Sequence, residues 1–311
     1  MLIRIPKGWE IPEREATPEQ AYWNRREILQ AAGVTLGALA GPLAAAEGKS
    51  PYPAKRNPDF TLDRPVTEEW AATGYNNYYE FHPTNKTAVK DRVGKFKPRP
   101  WTIQVKGLVK KPQTLDLDDL EKTMPFEERL YRFRCVEAWA MAVPWTGFPM
   151  AELIKKLEPK PEAKYVRFVT VERRNEMPGI GEAPWYPWPY FEALRMDEAM
   201  NPMAMFVTGI YGKPLPVQNG APFRVIVPWK YGYKNPKSIV EIEFLAKQPE
   251  TFWHKTAPAE YGFFSNVNPG KPHPRWSQAH EKLIPKMEVR PTQMYNGYEK
   301  WVGSMYNGKE F

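Results

Sequence analysis

The chain has 311 residues and a formal net charge of +8, with 14% aromatic residues and 34 prolines. That aromatic content excludes a disordered chain, and a proline share about twice the usual one indicates long, stiffened loops with little helix. The basic residues are scattered and accompany no zinc-finger, recognition-helix or RNA-binding pattern, so nucleic acid is not an expected partner.

The first 46 residues have the pattern of an export signal. Arg25 and Arg26 precede an apolar, small-residue run at 31–46, which closes with three alanines as in an A-x-A cleavage site. Paired arginines before a weakly apolar segment are typical of twin-arginine export. The run is short for a membrane span of about 20 residues, and an uncleaved anchor is the alternative. We therefore expect residues 1–46 to be removed and the mature protein to be periplasmic.

Residues 47–66 are Pro-rich and charged without periodicity, which predicts an N-terminal arm lying on or off the catalytic domain at 67–311. In that domain, alternation of polar and apolar residues predicts strands at 101–109, 131–135, 165–171, 204–211, 223–227 and 239–245. Helical spacing predicts short helices at 115–122 and 149–156. Several strands with short helices between them favour an α+β fold with mixed β-sheets.

Cys135 is the single cysteine of the chain. It ends the alternating stretch at 131–135, so a strand there would turn the sulfur inward. A lone buried cysteine is more often inert packing than part of a site. It has no partner for a disulfide within the chain, and twin-arginine export carries folded proteins that often hold a cofactor. A thiolate ligand is therefore the functional alternative.

Several common kinds of site are excluded. The four histidines, at 82, 254, 273 and 280, have no zinc-ligand spacing, and the glycine patterns of nucleotide cradles and the serine-hydrolase elbow are absent. The sequence around Cys135 does not resemble the active-site stretch of a Cys-His hydrolase. The more economical functional interpretation of Cys135 is a metal held by one thiolate, with its other ligands supplied by an organic cofactor.

A phosphate-bearing cofactor needs cations. Arg224, Lys234 and Lys237 lie in a Gly- and Pro-rich region that follows Asn219-Gly220. Taken singly, each is more often a surface cation, but together with the Asn-Gly loop they predict a phosphate or pterin cradle.

Four stretches carry a family resemblance. RFRCVEAWAMAVPW around Cys135, GYNNYYEF at 74–81, QNGAPFRVIVPWKYGYK at 218–234 and HPRWSQA at 273–279 resemble the sulfite oxidase superfamily of molybdenum enzymes. Within it, the chain is most similar to bacterial periplasmic reductases of methionine sulfoxide in proteins. The resemblance covers nearly all of the chain after the export signal and implies the molybdopterin-binding fold of that superfamily.

The resemblance also implies the site. Cys135 matches the cysteine that ligates molybdenum. Contacts to the cofactor fall on two loops and one strand end, namely Asn76, Tyr79, Glu80, Thr170, Asn219, Arg224, Asn235, Pro236 and Lys237. Asn235-Pro236 departs from the Gly-Ile of the family pattern, and Pro236 has no N–H to donate. The alternative for Thr170 is an ordinary strand threonine with no contact to a cofactor.

The activity implied is reduction of methionine sulfoxide residues in periplasmic proteins by oxygen-atom transfer, with one molybdenum–molybdopterin per chain. Electrons would come from a membrane-embedded, haem-containing subunit that is fed by quinols, and we expect a monomeric catalytic subunit. Two alternatives stay open. One is a sulfite-oxidising molybdenum enzyme, and the other is a non-catalytic periplasmic binding protein in which Cys135 is buried packing.

Overall fold

The computed structural model describes residues 50–307, so the predicted export signal at 1–46 lies outside the described part of the chain. The strands are β1 (Thr102–Gly107), β2 (Gln113–Asp116), β3 (Glu127–Arg134), β4 (Trp139–Pro149), β5 (Tyr165–Thr170), β6 (Phe191–Arg195), β7 (Met205–Ile210), β8 (Lys213–Pro214), β9 (Arg224–Ile226), β10 (Ile239–Leu245), β11 (His280–Leu283) and β12 (Glu288–Pro291). The α-helices are α1 (Glu69–Gly74), α2 (Leu117–Thr123), α3 (Met150–Leu157), α4 (Pro178–Glu182), α5 (Met196–Ala199), α6 (Phe252–Thr256) and α7 (Glu299–Val302). Among the described residues, no helix has both the length and the apolar character that crossing a bilayer requires.

The strands form two mixed sheets. One has the order β2-β1-β10-β5-β6, in which β1 and β10 run parallel and the other neighbours run antiparallel. The second has the order β12-β11-β4-β7-β8, with β3 paired to β4 and β9 paired to β7. In it, β11 runs parallel to β4. The prediction of an α+β fold with mixed sheets and short helices is confirmed.

Alternation located β1, β5 and β10, each of which has one covered face. Strands β7 and β9 also lie where strands were predicted, although all of their residues are buried. The predicted strands did not include β2, β4, β6, β8, β11 or β12. In β4, ten of the eleven residues are buried, and a strand covered on both faces need not alternate in sequence.

The two predicted helices begin as their first residues dictate. The Asp116 carboxylate accepts a hydrogen bond from the Asp118 backbone N–H at 2.7 Å and caps α2. Pro149 is the last residue of β4 and precedes α3, so the prediction that it is the first helical residue was wrong by one position. Its missing N–H costs nothing at either position.

The N-terminal arm lies on the domain from about residue 52 onward. Asn57 donates its backbone N–H to the Glu128 carbonyl at 2.8 Å, and the Glu128 N–H donates to the Lys55 carbonyl at 2.9 Å. The ring of Phe60 is buried edge-on against Tyr131, with 5.3 Å between the centroids. The arm is therefore held on β3 by both hydrogen bonds and apolar packing.

Two buried ion pairs fix the segment between β9 and β10. The Lys230 ammonium lies 2.6 Å from the Glu198 carboxylate and also donates to the Phe264 carbonyl at 2.8 Å. The Lys234 ammonium lies 2.5 Å from the Glu192 carboxylate and donates to the Ala193 carbonyl at 2.8 Å. All four charged side chains are fully buried. Each pair therefore depends on both of its members.

We expect Glu198→Ala to lower the free energy of unfolding by about 3–5 kcal/mol, because it leaves the Lys230 ammonium buried without its carboxylate. Urea denaturation followed by circular dichroism measures the change. The matched control is Lys110→Ala, which breaks a pair whose side chains are 72% and 59% exposed and should cost about 0–1 kcal/mol. Equal costs for the two variants would contradict the prediction.

Candidate cofactor site around Cys135

A tight hairpin turn carries Cys135. Strand β3 ends at Arg134 and β4 begins at Trp139. The Cys135 N–H donates to the Trp139 carbonyl at 2.9 Å, and the Ala138 N–H donates to the Cys135 carbonyl at 3.0 Å. Ala138 has φ of 70°, a left-handed conformation that costs a residue with a Cβ about 1–2 kcal/mol. Cys135 therefore lies one residue beyond the end of β3, although the predicted strand at 131–135 included it. Its sulfur is buried in the wall of a cleft.

The sulfur of Cys135 has two N–H donors and one carboxylate nearby. Asn77 Nδ2 lies 3.4 Å from Sγ, the Glu137 backbone N lies 3.5 Å from it, and Glu137 Oε2 lies 3.9 Å from it. Burial, reinforced by Glu137, raises the pKa of the Cys135 thiol to about 12. Without a metal the group is a thiol at neutral pH, and a metal ion bound there would displace its proton.

Glu137 and Asn77 are site residues that the sequence interpretation left out. The Glu137 carboxylate lies 3.0 Å from Asn77 Nδ2, 3.0 Å from the Lys86 ammonium and 3.3 Å from the indole nitrogen of Trp139. These contacts fix the carboxylate at the sulfur. Asn77 directly follows Asn76, which was predicted to contact the cofactor. That adjacency was the one feature of the sequence that could have pointed to Asn77 as a site residue.

The cleft beside Cys135 contains about 890 Å³ of empty space, a figure that includes its open mouth. Of the predicted site residues, six lie in its wall: Asn76, Tyr79, Glu80, Cys135, Arg224 and Lys237. Residues from the N-terminal third, from the β3–β4 hairpin and from the 218–237 region therefore meet at one place.

Two cations line this cleft without a salt bridge among the described residues, namely buried Arg224 and half-buried Lys237. The Arg224 guanidinium donates to the carbonyls of Asn219 and Asn235, and its Nε has no hydrogen-bond partner. Burial lowers the pKa of Arg224 to about 9. Burial and the Arg224 charge lower the pKa of Lys237 to about 8, although the nearby Glu80 carboxyl opposes that shift. The two cations thus exceed the one carboxyl beside Lys237, which favours an anionic ligand.

Gly220 makes room for Lys237. A Cβ at Gly220 would lie 2.8 Å from both Cβ and Cγ of Lys237, and Gly220 has φ of 101°. Only glycine adopts that conformation readily. The backbone conformation at position 220 and the close approach of the Lys237 side chain therefore both require glycine in the Asn-Gly sequence that predicted a cradle.

Thr170 and Asn219 lie just behind the cleft wall. The Thr170 hydroxyl and Asn219 Oδ1 are buried without a hydrogen-bond partner, while Asn219 Nδ2 donates to the Ala72 carbonyl at 3.0 Å and to Asn76 Oδ1 at 3.2 Å. Burial raises the pKa of the Glu80 carboxyl to about 7, while the Lys237 charge and the nearby Thr170 hydroxyl oppose the rise. Buried polar atoms without a protein partner at a cleft are groups that a polar ligand could bind.

Asn235 and Pro236 support the cleft from outside its wall. Asn235 Oδ1 accepts the Val227 N–H at 2.6 Å, its Nδ2 donates to the Gly232 carbonyl at 3.1 Å, and the Pro236 carbonyl accepts the Val225 N–H at 3.1 Å. Pro236 uses its carbonyl, so the missing N–H breaks nothing within the protein. Direct contact of either residue with a cofactor stays a prediction.

Lys234 does not belong to the cradle. Its ammonium pairs with Glu192 in the core, which corrects the expectation that Lys234 helps to bind an anion. Of the three cations that the sequence suggested, Arg224 and Lys237 line the cleft.

Aromatic side chains frame the mouth of the cleft. The Tyr79 and Trp253 rings lie 5.3 Å apart, as do those of Trp253 and Tyr261, and Trp139 lines both the cleft and the basin outside it. The sequence indicated that loops rich in aromatic residues could form a rim, but it did not indicate which residues would lie at the cleft. In the described part of the chain, no three His, Cys, Asp or Glu side chains lie together in a way that would hold a metal ion.

Known proteins resemble this chain over its full described length. Residues 90–253 match the family model of the oxidoreductase molybdopterin binding domain. Two relatives are named protein-methionine-sulfoxide reductase catalytic subunit MsrP. The one from Burkholderia mallei is 51% identical over 97% of this chain and 95% of its own length. The one from Ralstonia nicotianae is 48% identical over 100% of this chain and 98% of its own.

Among solved structures, the sulfane dehydrogenase SoxCD of Paracoccus pantotrophus has a TM-score of 0.45 and 13% identity, over 91% of this chain and 65% of that chain. The family model includes Cys135, Arg224 and Lys237, whereas Asn76, Tyr79 and Glu80 precede its first residue. The cleft is therefore completed by a loop outside the matched range.

Sulfate should bind the metal-free protein through Arg224 and Lys237, and binding should weaken as the pH rises through about 8. Below that pH Lys237 is charged, and above it the lysine is neutral and one charged donor is lost. We expect the affinity to fall about tenfold or more between pH 6.5 and pH 9.5, measured by isothermal titration calorimetry.

The variant Lys237→Met should bind sulfate weakly at pH 6.5 and lose only the part of the pH dependence that Lys237 contributes near pH 8, because Glu80 still becomes charged near pH 7 and Arg224 still becomes neutral near pH 9. The exposed control Lys110→Met should keep the wild-type profile. A wild-type affinity that does not change with pH would show that Lys237 is not an anion ligand.

Proposed function

The chain belongs to the family of the oxidoreductase molybdopterin-binding domain, and we propose that it is the catalytic subunit of a protein-methionine-sulfoxide reductase. In this proposal it holds one molybdenum–molybdopterin per chain and reduces methionine sulfoxide residues in proteins. The observation that carries it is the cleft that gathers one cysteine sulfur and two cations, Arg224 and Lys237, neither of which forms a salt bridge among the described residues.

The residues of the cleft fit that cofactor. Cys135 would supply the thiolate ligand, and Arg224 and Lys237 would bind the anionic phosphate end. Gly220 leaves space for Lys237 to reach the cleft, and the unpartnered oxygen of Asn219 is free to bind a polar group. When bound, the cofactor supplies two-electron oxygen-atom-transfer chemistry at its metal.

The mouth of the cleft suits the side chain of a methionine sulfoxide. The Glu137 carboxylate at the mouth is paired with Lys86, and Arg275 and Lys282 also line the outer basin, so charge there does not separate sulfite from a neutral sulfoxide. Trp253 and Tyr261 would contact the methionine side chain and exclude water. Overall, the sulfoxide takes up two electrons and two protons and gives a thioether and water.

The electrons, in this proposal, come from a membrane-embedded haem subunit that oxidises quinols. The relatives are named catalytic subunits, which supports a second subunit for this chain. The paired Arg25 and Arg26 support export by the twin-arginine route, and the periplasm is the compartment we infer. Oxidised periplasmic proteins are then the substrates.

We expect Cys135→Ser to lose bound molybdenum and to lower the reduction rate of oxidised, unfolded protein by more than about 100-fold, because a metal ligand is removed. Metal content is measured by mass spectrometry and activity by the loss of sulfoxide mass. Molybdenum-loaded wild-type protein that turns over sulfite but no sulfoxide would overturn the proposed substrate.

A second pair of variants tests the anion site. Arg224→Met should lower the pterin content, whereas Arg174→Met, whose side chain is 59% exposed, should leave it unchanged. Equal pterin contents in the two variants would show that Arg224 does not bind the cofactor.

Replacing both Arg25 and Arg26 by lysine should keep the protein in the cytoplasm with its first 46 residues uncleaved, if those residues are a twin-arginine signal. Cell fractionation and intact mass measure this, and Arg4→Lys is the matched control. Unchanged periplasmic yield of the double variant would contradict the export proposal.

A further inference from the structure

We propose that Trp276 and Gln278 are positioning residues that orient one peptide unit toward the Cys135 sulfur and thereby set the electron donation of the thiolate. This inference rests on the proposed function, in which Cys135 ligates the metal. Neither side chain contacts the sulfur. Both act through the backbone of the β3–β4 turn.

Two side chains from the 273–279 stretch bind the same carbonyl. The Trp276 indole N–H donates to the Val136 carbonyl at 2.8 Å, and Gln278 Nε2 donates to it at 2.7 Å. Val136 directly follows Cys135, and Gln278 is buried. Both lone pairs of this carbonyl are therefore occupied, which fixes its direction.

Fixing the carbonyl also fixes the next N–H. A trans peptide unit is planar, with its C=O and N–H on opposite sides. The carbonyl of the Val136–Glu137 unit points to Trp276 and Gln278, so its N–H points to the other side. There the Glu137 backbone nitrogen lies 3.5 Å from Cys135 Sγ. The two side chains thus hold the amide in position to donate to the sulfur.

Other residues hold the Trp276 and Gln278 side chains in place. Gln278 Oε1 accepts a hydrogen bond from the Arg134 guanidinium at 2.9 Å, and Arg134 also donates to the Cys135 carbonyl. The Trp276 ring is stacked on the ring of His273, with 3.8 Å between centroids and 8° between planes. Buried Arg134 and the stacked pair therefore restrict both donors.

An N–H directed at a ligating sulfur weakens its donation to the metal and favours the reduced state, so hydrogen bonds to sulfur raise a reduction potential. Removing a donor from the Val136 carbonyl lets the peptide unit tilt and weakens the N–H···S contact. We therefore expect the bound molybdenum to become harder to reduce.

The test uses molybdenum-loaded Trp276→Phe, which keeps an aromatic ring but loses the indole donor, and Gln278→Glu. The glutamate keeps an acceptor for Arg134 but loses the donor to the Val136 carbonyl. Trp70→Phe is the control, since Trp70 is 66% exposed and donates to Glu68. The readouts are molybdenum content and the reduction potential of the bound metal, from a redox titration followed by electron paramagnetic resonance.

We expect both variants to retain molybdenum and to shift the potential to more negative values, with Trp70→Phe unchanged. Loaded variants with the wild-type potential would overturn the inference while leaving the proposed function intact, even if their activity falls. Wild-type protein without molybdenum would overturn both. If Gln278→Glu does not fold, Trp276→Phe alone decides, because its ring stays on His273.

Discussion

Positive charge that no salt bridge neutralises is the constraint on which the cleft depends. The chain from Arg224 to Lys237 contains four cations, three of them buried, and they fall into two kinds. Lys230 and Lys234 each form a salt bridge with a buried carboxylate in the core. Arg224 and Lys237 form none among the described residues and face the cleft, where the Glu80 carboxyl acts on Lys237 only at a distance. Because the same segment pairs its core cations, the two at the cleft mark the place where the anion of a ligand would bind.

The cleft also has two chemically different ends. Cys135 lies beside Glu137 and Trp139, which the cleft shares with the basin outside, whereas Arg224 and Lys237 line only the inner cleft. A group with an anionic end and a metal end would therefore bind in one orientation, with the anion inside and the metal at the sulfur. The neutral thiol of Cys135 makes metal binding release a proton, so retention of the metal depends on pH as well as on contacts.

Sequence reasoning succeeded where one physical cause acts locally. Alternation located β1 and β10, and a capping aspartate located α2, because each depends on neighbouring residues. It missed β4, whose burial on both faces removes the alternation, and it misplaced Lys234, whose partner lies 42 residues away. For the site, the resemblance named Cys135, Arg224 and Lys237, while Glu137 and the Trp276–Gln278 pair become visible only through distances across the fold.

The arm that lies on β3 has a consequence for how the molecule behaves in solution. Strand β3 pairs with β4 along one side only, so its other side would offer free backbone groups to a strand of another chain. The bridge between Arg56 and Glu128 covers the start of that edge, and the Tyr298 hydroxyl accepts the Arg132 N–H further along it. The N-terminal arm and the segment around Tyr298 therefore leave less of this edge open to a strand of another chain.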